Sequence, residues 1–358
     1  MKKIVYLILF LGIVSCHRNI EPELPENLFE KYKSSVVLIV NQYYYEIQSG
    51  GAKFYYSPSS NQKIYSSQEE ILKNLSTITG TGFIISNEGE IITNRHVVNP
   101  KEEGYKEELY NFIQKGVKQI SETAIIYNDS LESIRSYYYE NSSLMDYYQK
   151  NEIENKYRQL LETKKYQDNL VSISENLNVS NAEIALVPVN IGIAFDNTFV
   201  DDWQDLQECI IIKVSKDENV DLALIQTKSK TLNKVPNFIL NFNDNNPNIT
   251  ENPEENPVRD IKKPVNVNGD VFMIGFNRGF TLAKTKQGIK SQFTVGKVSQ
   301  ESDENRILYT IPTLEGSSGS PIIDKWGNLV AVNFAKLTDS QNFSFGIPIY
   351  EVKKFYEE

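Results

Sequence analysis

Two cysteines, two histidines and two tryptophans occur in 358 residues, and 37 lysines and arginines face 47 aspartates and glutamates. Each scarcity excludes something. Two cysteines cannot make a disulfide framework, and a zinc site of four nitrogen and sulfur ligands would consume every cysteine and histidine, including Cys16 and His17 near the N-terminus. Zinc is therefore not expected. A formal charge of −10 without a dense Lys/Arg run leaves no electrostatic footprint for a phosphate backbone, so nucleic acid is not an expected partner. The N-terminal apolar run, Ile4 to Val14, would rise about 16 Å as a helix, too short for the ~30 Å hydrocarbon core of a bilayer. What is abundant is apolar and aromatic surface: 40% hydrophobic residues, with 21 tyrosines and 17 phenylalanines, enough for one large or two medium cores.

Lys2 and Lys3, the run Ile4 to Val14 and the small residue Ser15 before Cys16 have the order of a secretory signal peptide. Ile13-Val14-Ser15-Cys16 resembles a bacterial lipobox, which implies cleavage after residue 15 and lipidation of Cys16. Loss of Lys2 and Lys3 leaves 35 − 47 = −12 on the mature chain. So acidic a chain gains nothing from an anionic leaflet, and the lipid itself would be the membrane anchor. Residues 16–30, with Pro22, Pro25 and several glutamates, read as a tether. Cys209 is the other cysteine, so no intramolecular disulfide is expected even in an exported, oxidising compartment.

Ser35 to Val40 (SVVLIV) reads as a buried strand, followed by a tyrosine-rich polar stretch to Thr79. Gly82–Ser86 and Glu90–Asn94 read as two strands turning at Asn87-Glu88-Gly89, a hairpin that delivers the chain to His96. From residue 101 to 180 the character changes: 24 of 80 residues are charged, ten are tyrosine and none is proline. Ile153, Tyr157, Leu160 and Leu161 share one helical face, so this block is expected to be a helical insertion of two or three amphipathic helices. Strand character returns at Ile184–Phe195, Cys209–Val214 and Asp221–Gln226. Asn246 to Pro264, with four prolines and seven charged residues, reads as an exposed linker between two β halves. The second half carries six more short strands between Val271 and Pro348, a spacing that suggests barrels or a sandwich.

Three segments carry chemistry. In Glu315-Gly316-Ser317-Ser318-Gly319-Ser320-Pro321, glycines beside a serine let a backbone approach the hydroxyl, but a serine attacks only when a base takes its proton and oriented N–H groups meet the oxyanion. After His17 is assigned to the leader, the base left is His96 in Thr93-Asn94-Arg95-His96-Val97-Val98. Asp221, opening the apolar run Asp221-Leu222-Ala223-Leu224-Ile225, is an acid that needs a partner there.

Together these segments resemble the chymotrypsin-fold (trypsin-like) serine proteases, and most closely the bacterial high-temperature-requirement (HtrA/Deg) type. Gly80–Ser86 with Ile91–Val98 is similar to that group's histidine segment, Val220–Leu224 to its aspartate segment, Gly316–Pro321 to its nucleophile loop and Phe345–Pro348 to its closing strand. The likeness spans about Leu28–Pro100 and Ala182–Ile349. It implies an all-β, two-barrel fold over residues 31–358, interrupted by the insertion at 101–180. It implies His96, Asp221 and Ser318 as the triad and the N–H groups of Gly316 and Ser318 as the oxyanion hole, chemistry for which no metal and no cofactor is expected. The order His, Asp, Ser has separations of roughly 45 and 93 residues in chymotrypsin; here they are 221 − 96 = 125 and 318 − 221 = 97. The excess in the first is the length of the helical block.

By the same resemblance the specificity pocket would be lined by Pro312, Thr313, Leu314, Asn333, Phe334 and Ala335, with Phe343-Ser344-Phe345 beside them. None is an acid, so a small or apolar residue is expected before the scissile bond rather than Arg or Lys. Ser320 stands where the family more often has glycine, and Glu315 adjoins the oxyanion hole. The chain ends ten residues after Pro348, which leaves no room for the PDZ domains of many HtrA relatives. The activity implied is that of an exported, lipid-tethered serine endopeptidase acting on protein or peptide. The alternative from another class is a latent protease-like scaffold that binds a protein partner through the helical insertion. An esterase of the α/β-hydrolase type requires Gly-x-Ser-x-Gly and the order Ser, Asp, His, and both fail.

Overall fold

The computed structural model describes residues 22–49, 51–59, 64–100, 103–176, 182–217, 219–240, 265–300, 302–303, 305–336 and 343–358. The leader, Cys16, and the expected linker at 246–264 lie outside the described residues.

The first barrel closes from β1 (Val36–Ser49), β4 (Ser76–Ile84), β5 (Glu90–Thr93), β8 (Ala223–Thr227), β7 (Gln207–Val214) and β6 (Glu183–Phe195), with β6 pairing back onto β1. Short strands β2 (Ala52–Tyr56) and β3 (Ile64–Tyr65) extend the sheet beyond β1, and the one-turn helix α2 (Gln68–Ile71) follows. The second barrel closes in the order β12 (Gln292–Gln300), β13 (Ile307–Tyr309), β16 (Ser344–Pro348), β15 (Leu329–Lys336), β14 (Pro321–Asp324) and β9 (Asp270–Gly275). A small ribbon, β10 (Lys284–Thr285) with β11 (Gly288–Ile289), follows the one-turn helix α6 (Phe280–Ala283). The chain is thus two six-stranded antiparallel barrels, the chymotrypsin-like architecture.

The unbroken apolar run at the start of β1 has a simple cause. Side chains alternate across a strand, and both faces of β1 are covered. Val37 and Ile39 pack inside the first barrel with Ile84, Ile91, Ile193 and Ile225. Val36, Leu38 and Val40 face the other way, into a core shared with Phe272, Ile274 and Phe276 of the second barrel. β1 is therefore the strand that joins the two bodies by burial. Cys209 lies inside the first barrel, where burial pushes its thiol up to about 12.

The strand expected to stop near Val40 continues to Ser49, with β6 beside it. Past a register shift at Gln42/Tyr43, this ribbon leaves the barrel and presents Tyr43, Tyr45 and Ile47 to the root of an inserted helix. The block expected to be helical is two helices, α4 (Glu103–Asn141) and α5 (Tyr147–Asn176). Along α4, Val117, Ile120, Ala124, Tyr127, Leu131, Ile134 and Tyr138 are the more covered residues, and along α5 Ile153, Tyr157, Leu160, Lys164, Gln167 and Val171. Alternating steps of three and four make this an antiparallel coiled coil. At 39 residues α4 is about 58 Å long. Leu109 and Ile113, both nearly inaccessible, seat its root on Tyr43, Tyr45 and Ile184. Leu144, Tyr147 and Tyr148 at the far turn are exposed.

One boundary needs correction. The tether expected over residues 16–30 ends earlier, because α1 (Pro25–Tyr32) begins at a proline that suits a first helical turn and buries Leu28 and Tyr32 in the shared core. The C-terminal helix α7 (Ile349–Glu357) closes the other side, its last carbonyls at Phe355 and Tyr356 accepting from Lys213 Nζ.

Because the arm touches the barrels at its root, replacing residues 121–166 by a short Gly-rich turn should leave the melting temperature within a few degrees of the full chain. Leu109→Ala, at the root, should cost about 2–5 kcal/mol. Thermal and urea unfolding followed by circular dichroism compares the two.

Candidate active site

β5 ends at Thr93, and Asn94 leads into the single turn α3 (Arg95–Val98) that carries His96. So short a helix has no carbonyl partners of its own at its end. Buried Asn41 on β1 supplies them, its Nδ2 donating to the carbonyls of Val97 and Val98 at 3.0 and 3.2 Å. Val97 lies so close to β4 that a Cβ on Gly80 would come within 2.5 Å of it. His96 is therefore fixed by its neighbours on both sides, and its ring remains 41% exposed.

Asp221 sits two residues before β8, which pairs with β5, and the pairing brings the carboxylate to the histidine. Its Oδ1 accepts the His96 backbone N–H at 3.0 Å and its Oδ2 meets His96 Nδ1 at 2.5 Å. Asn94 Nδ2 and the Arg95 N–H donate to the Asp221 carbonyl, fixing the main chain as well. Burial works to raise the Asp221 pKa. The hydrogen bonds from the His96 ring and backbone, with the charge of Arg95, outweigh it and hold the carboxyl below the usual carboxylate range. Bonding at Nδ1 leaves the other ring nitrogen for other work.

Ser318 lies on a loop whose shape is dictated at two glycines. Gly316 and Gly319 have φ of 90° and 86°. A Cβ on Gly316 would lie 2.5 Å from Phe276 O and Gly279 N, and one on Gly319 2.0 Å from Thr81 O. The loop is pinned from beneath: Gly319 N–H donates to Asn333 O, Asn333 N–H to Ser320 O, and Asn333 Nδ2 to Ser317 O. Across from it, Thr81 on β4 makes four bonds. Its N–H donates to Ser318 O at 2.8 Å, its hydroxyl donates to Gly316 O at 2.8 Å and accepts from Phe276 N–H at 3.0 Å, and its carbonyl accepts from Thr93 Oγ1 at 2.7 Å. Glu315 O accepts from Arg278 N–H at 2.5 Å. A trans peptide sends its C=O and N–H to opposite sides, so the Gly316 N–H faces away from Arg278. Among the described residues neither the Gly316 nor the Ser318 N–H has a protein acceptor.

His96, Asp221, Gly316 and Ser318 line one cleft of about 770 Å³ between the barrels, with Ile78, Thr79, Arg95, Pro100, Asn219, Asp303, Asn305, Arg306, Glu315 and Phe334. The structure thus gathers residues that stand 125 and 97 positions apart. Among the described residues Ser318 Oγ makes no hydrogen bond to the imidazole. The Ser320 hydroxyl is buried, and Gly275 opposite it makes the room: a Cβ there would lie 2.0 Å from Ser320 Oγ.

The expected pocket divides. Phe334 lines the cleft. Thr313 and Asn333 instead turn into the barrel, Thr313 Oγ1 bonded to Ser344 Oγ and Asn333 to Ser317 and Tyr309. Their polar groups are spent on the scaffold, so they are corrected from lining to support. Pro312 and Leu314 are exposed beside the loop, and Ala335 pairs with Phe345. Sequence reasoning missed Thr81. The signal was there as a polar residue inside the Gly80-Thr81-Gly82 strand, where a hydroxyl is costly without partners.

Residues 173–332 match the family model of the trypsin-like peptidase domain. That match covers 160 of the 358 residues. The matched segment holds Asp221 and Ser318 and begins near the end of α5, so the strands that carry His96 precede it, separated by the arm. Among solved structures the chain is similar to a serine endoprotease from Yersinia pestis, at 15% identity and a TM-score of 0.44, over 94% of this chain and 67% of that one. A search of curated proteins finds no match.

Two tests address the geometry. Asp221 has a folded pKa below the 3.8 of the free group, so its bonds stabilise the fold fully above that value and are lost as pH falls through it toward the folded pKa. The gap in unfolding free energy between the wild type and Asp221→Asn should shrink as pH falls from about 5 to below about 4, read by urea unfolding across that range. Thr81→Val strands the Phe276 N–H and the Gly316 carbonyl in a dry interior and should cost about 1–3 kcal/mol in the same assay at neutral pH.

Proposed function

We propose that the protein is a serine endopeptidase, acting on protein or peptide, that works through a triad of His96, Asp221 and Ser318. The observation that carries the reading is the bonding of Asp221 to His96 by two separate hydrogen bonds at the rim of the cleft that also holds Ser318 and two unpaired N–H groups. Ser318 Oγ attacks the scissile carbonyl while His96 Nε2 takes its proton. The proton then passes to the leaving amine, and water repeats the sequence on the acyl-enzyme. Asp221 keeps its charge, holds Nδ1 protonated and stabilises the imidazolium that forms. The N–H groups of Gly316 and Ser318 receive the oxyanion; a fixed donor of this kind is worth about 3–4 kcal/mol at the transition state.

The place of action we infer from the leader: Ile13-Val14-Ser15-Cys16 supports export and a lipid at Cys16, with the mature domain held outside the cytoplasm by residues 17–24. Phe334 on the cleft supports an apolar or small residue before the scissile bond.

Labelling of the full-length protein by a fluorophosphonate probe tests the triad. The wild type should label at Ser318. Ser318→Ala should not label at all, and His96→Ala should label and hydrolyse at least about a thousandfold more slowly. A folded wild type that does not label would instead favour the partner-binding scaffold.

A further inference from the structure

The cleft carries a cation that the triad does not use. Arg306 stands at the end of the connection from β12 to β13 and lines the same cavity as Ser318 and Phe334. Its position is built. The Asp303 carboxylate caps the turn, Oδ1 accepting from the backbone N–H of Asn305 at 3.1 Å and of Arg306 at 2.8 Å. The Asp303 N–H closes the turn onto the Arg306 carbonyl at 3.1 Å. The guanidinium lies over the Phe345 ring, 5.0 Å from its centroid, and that ring is 6.4 Å from Phe334. An apolar wall therefore runs from Phe334 by the serine to Phe345 and ends under a planar cation.

Most of that cation is unspent. Asp303 reaches it at 3.4 Å through Nε, and among the described residues Nη1 and Nη2 have no partner. Stacking on an aromatic face leaves the in-plane donors of a guanidinium free, and those donors match the two oxygens of a carboxylate. Arg95 on the same cleft is not equivalent, because its Nη1 is held by the carbonyls of Ser215 and Asp217. The acids on the cleft wall are placed differently as well. Asp303 is committed to its own turn, whereas Glu315 adjoins Gly316 and Ser318 and repels a carboxylate beside the bond to be cut.

We propose that Arg306 is a specificity-determining residue: its free guanidinium edge binds a carboxylate of the peptide in the cleft, so that segments bearing one on the Phe334 side are cleaved in preference to neutral ones. The carboxylate can be an acidic side chain or the free C-terminus of a peptide. The inference rests on the peptidase reading of the cleft and adds a substrate class to it. It also agrees with an apolar residue seated on Phe334, because the charge is read one ring further along the wall.

The test uses the full-length protein and acetylated, amidated peptides that share a cleaved sequence and differ by Glu, Gln or Lys at one position at a time. A parallel set carries Gln throughout and a free C-terminal carboxylate at varied distance from the cleaved bond. At one position Glu should be favoured over Gln by about five- to tenfold in kcat/KM, expressed in KM. Arg306→Gln should bring that ratio to about one and Arg306→Glu should favour Lys instead, as expected for removal and reversal of a charge contact. A preference confined to the second set assigns the carboxylate to a chain end. Ratios near one at every position in both sets, or a preference that survives Arg306→Gln, overturn the proposal while hydrolysis and Ser318 labelling persist. Absence of both hydrolysis and Ser318 labelling in the folded wild type overturns the peptidase reading and this proposal with it.

Discussion

The site depends on a single buried threonine. Thr81 belongs to the first barrel, yet its N–H and hydroxyl bond to the carbonyls of Ser318 and Gly316 and to the N–H of Phe276, all in the second. Burial of β1 against Phe272 and Ile274 holds the barrels together but is non-directional. It does not set the alignment of a histidine on one barrel with a serine on the other. The Thr81 bonds do, because each needs a fixed distance and angle, and in a dry interface an unmade bond is expensive. Thr93 Oγ1 donates to the carbonyl of the same residue, three positions ahead of His96. The histidine side and the serine side of the cleft are thus referenced to one residue.

That arrangement accounts for how a long insertion can interrupt the domain without disturbing it. The arm enters at residue 103 and returns at β6, while His96 is secured before the entry by Asn41, Val97 and Asp221. The root buries Leu109 and Ile113 on a ribbon that has already left the barrel at the Gln42/Tyr43 irregularity. The rest is a coiled coil that packs chiefly on itself, and lengthening a loop costs little once its ends are fixed. Lys164 and Gln167 at seam positions weaken the coil, and the arm ends in an apolar turn at Leu144.

Much of this was legible in the sequence because it is written in local patterns. Gly316 and Gly319 mark a loop of positive φ, the hairpin before His96 is a turn with strands on either side, and the arm carries a helical period with no proline. The interval from His96 to Asp221 even gave the length of the insertion. What was not legible depends on pairing between distant segments. The resemblance assigns Asn333 and Thr313 to the pocket lining, but the face of a strand residue such as Asn333 follows from register, and hydrogen bonds to Ser317 and Ser344 turn the two side chains inward. α1 hid in a proline- and glutamate-rich stretch because Leu28 and Tyr32 acquire meaning only against a core assembled from both barrels.

The departures from the commoner loop pattern follow the same logic of compensation. Ser320 brings a hydroxyl into a packed core, and the accommodating change lies 45 positions away at Gly275, where any side chain would collide with it. Glu315 puts a carboxylate beside the Gly316 and Ser318 N–H groups; its carbonyl, however, is held by the Arg278 N–H, so the peptide it shares with Gly316 keeps its N–H turned away from Arg278. The charge of Glu315 then acts on what enters the cleft rather than on the geometry of the loop. With Arg306 stacked on Phe345 further along the same wall, the cleft has opposite charges set apart along it. Charge placed along a binding wall discriminates between substrates by where their own charges fall, and it does so without altering the geometry of His96, Asp221 and Ser318.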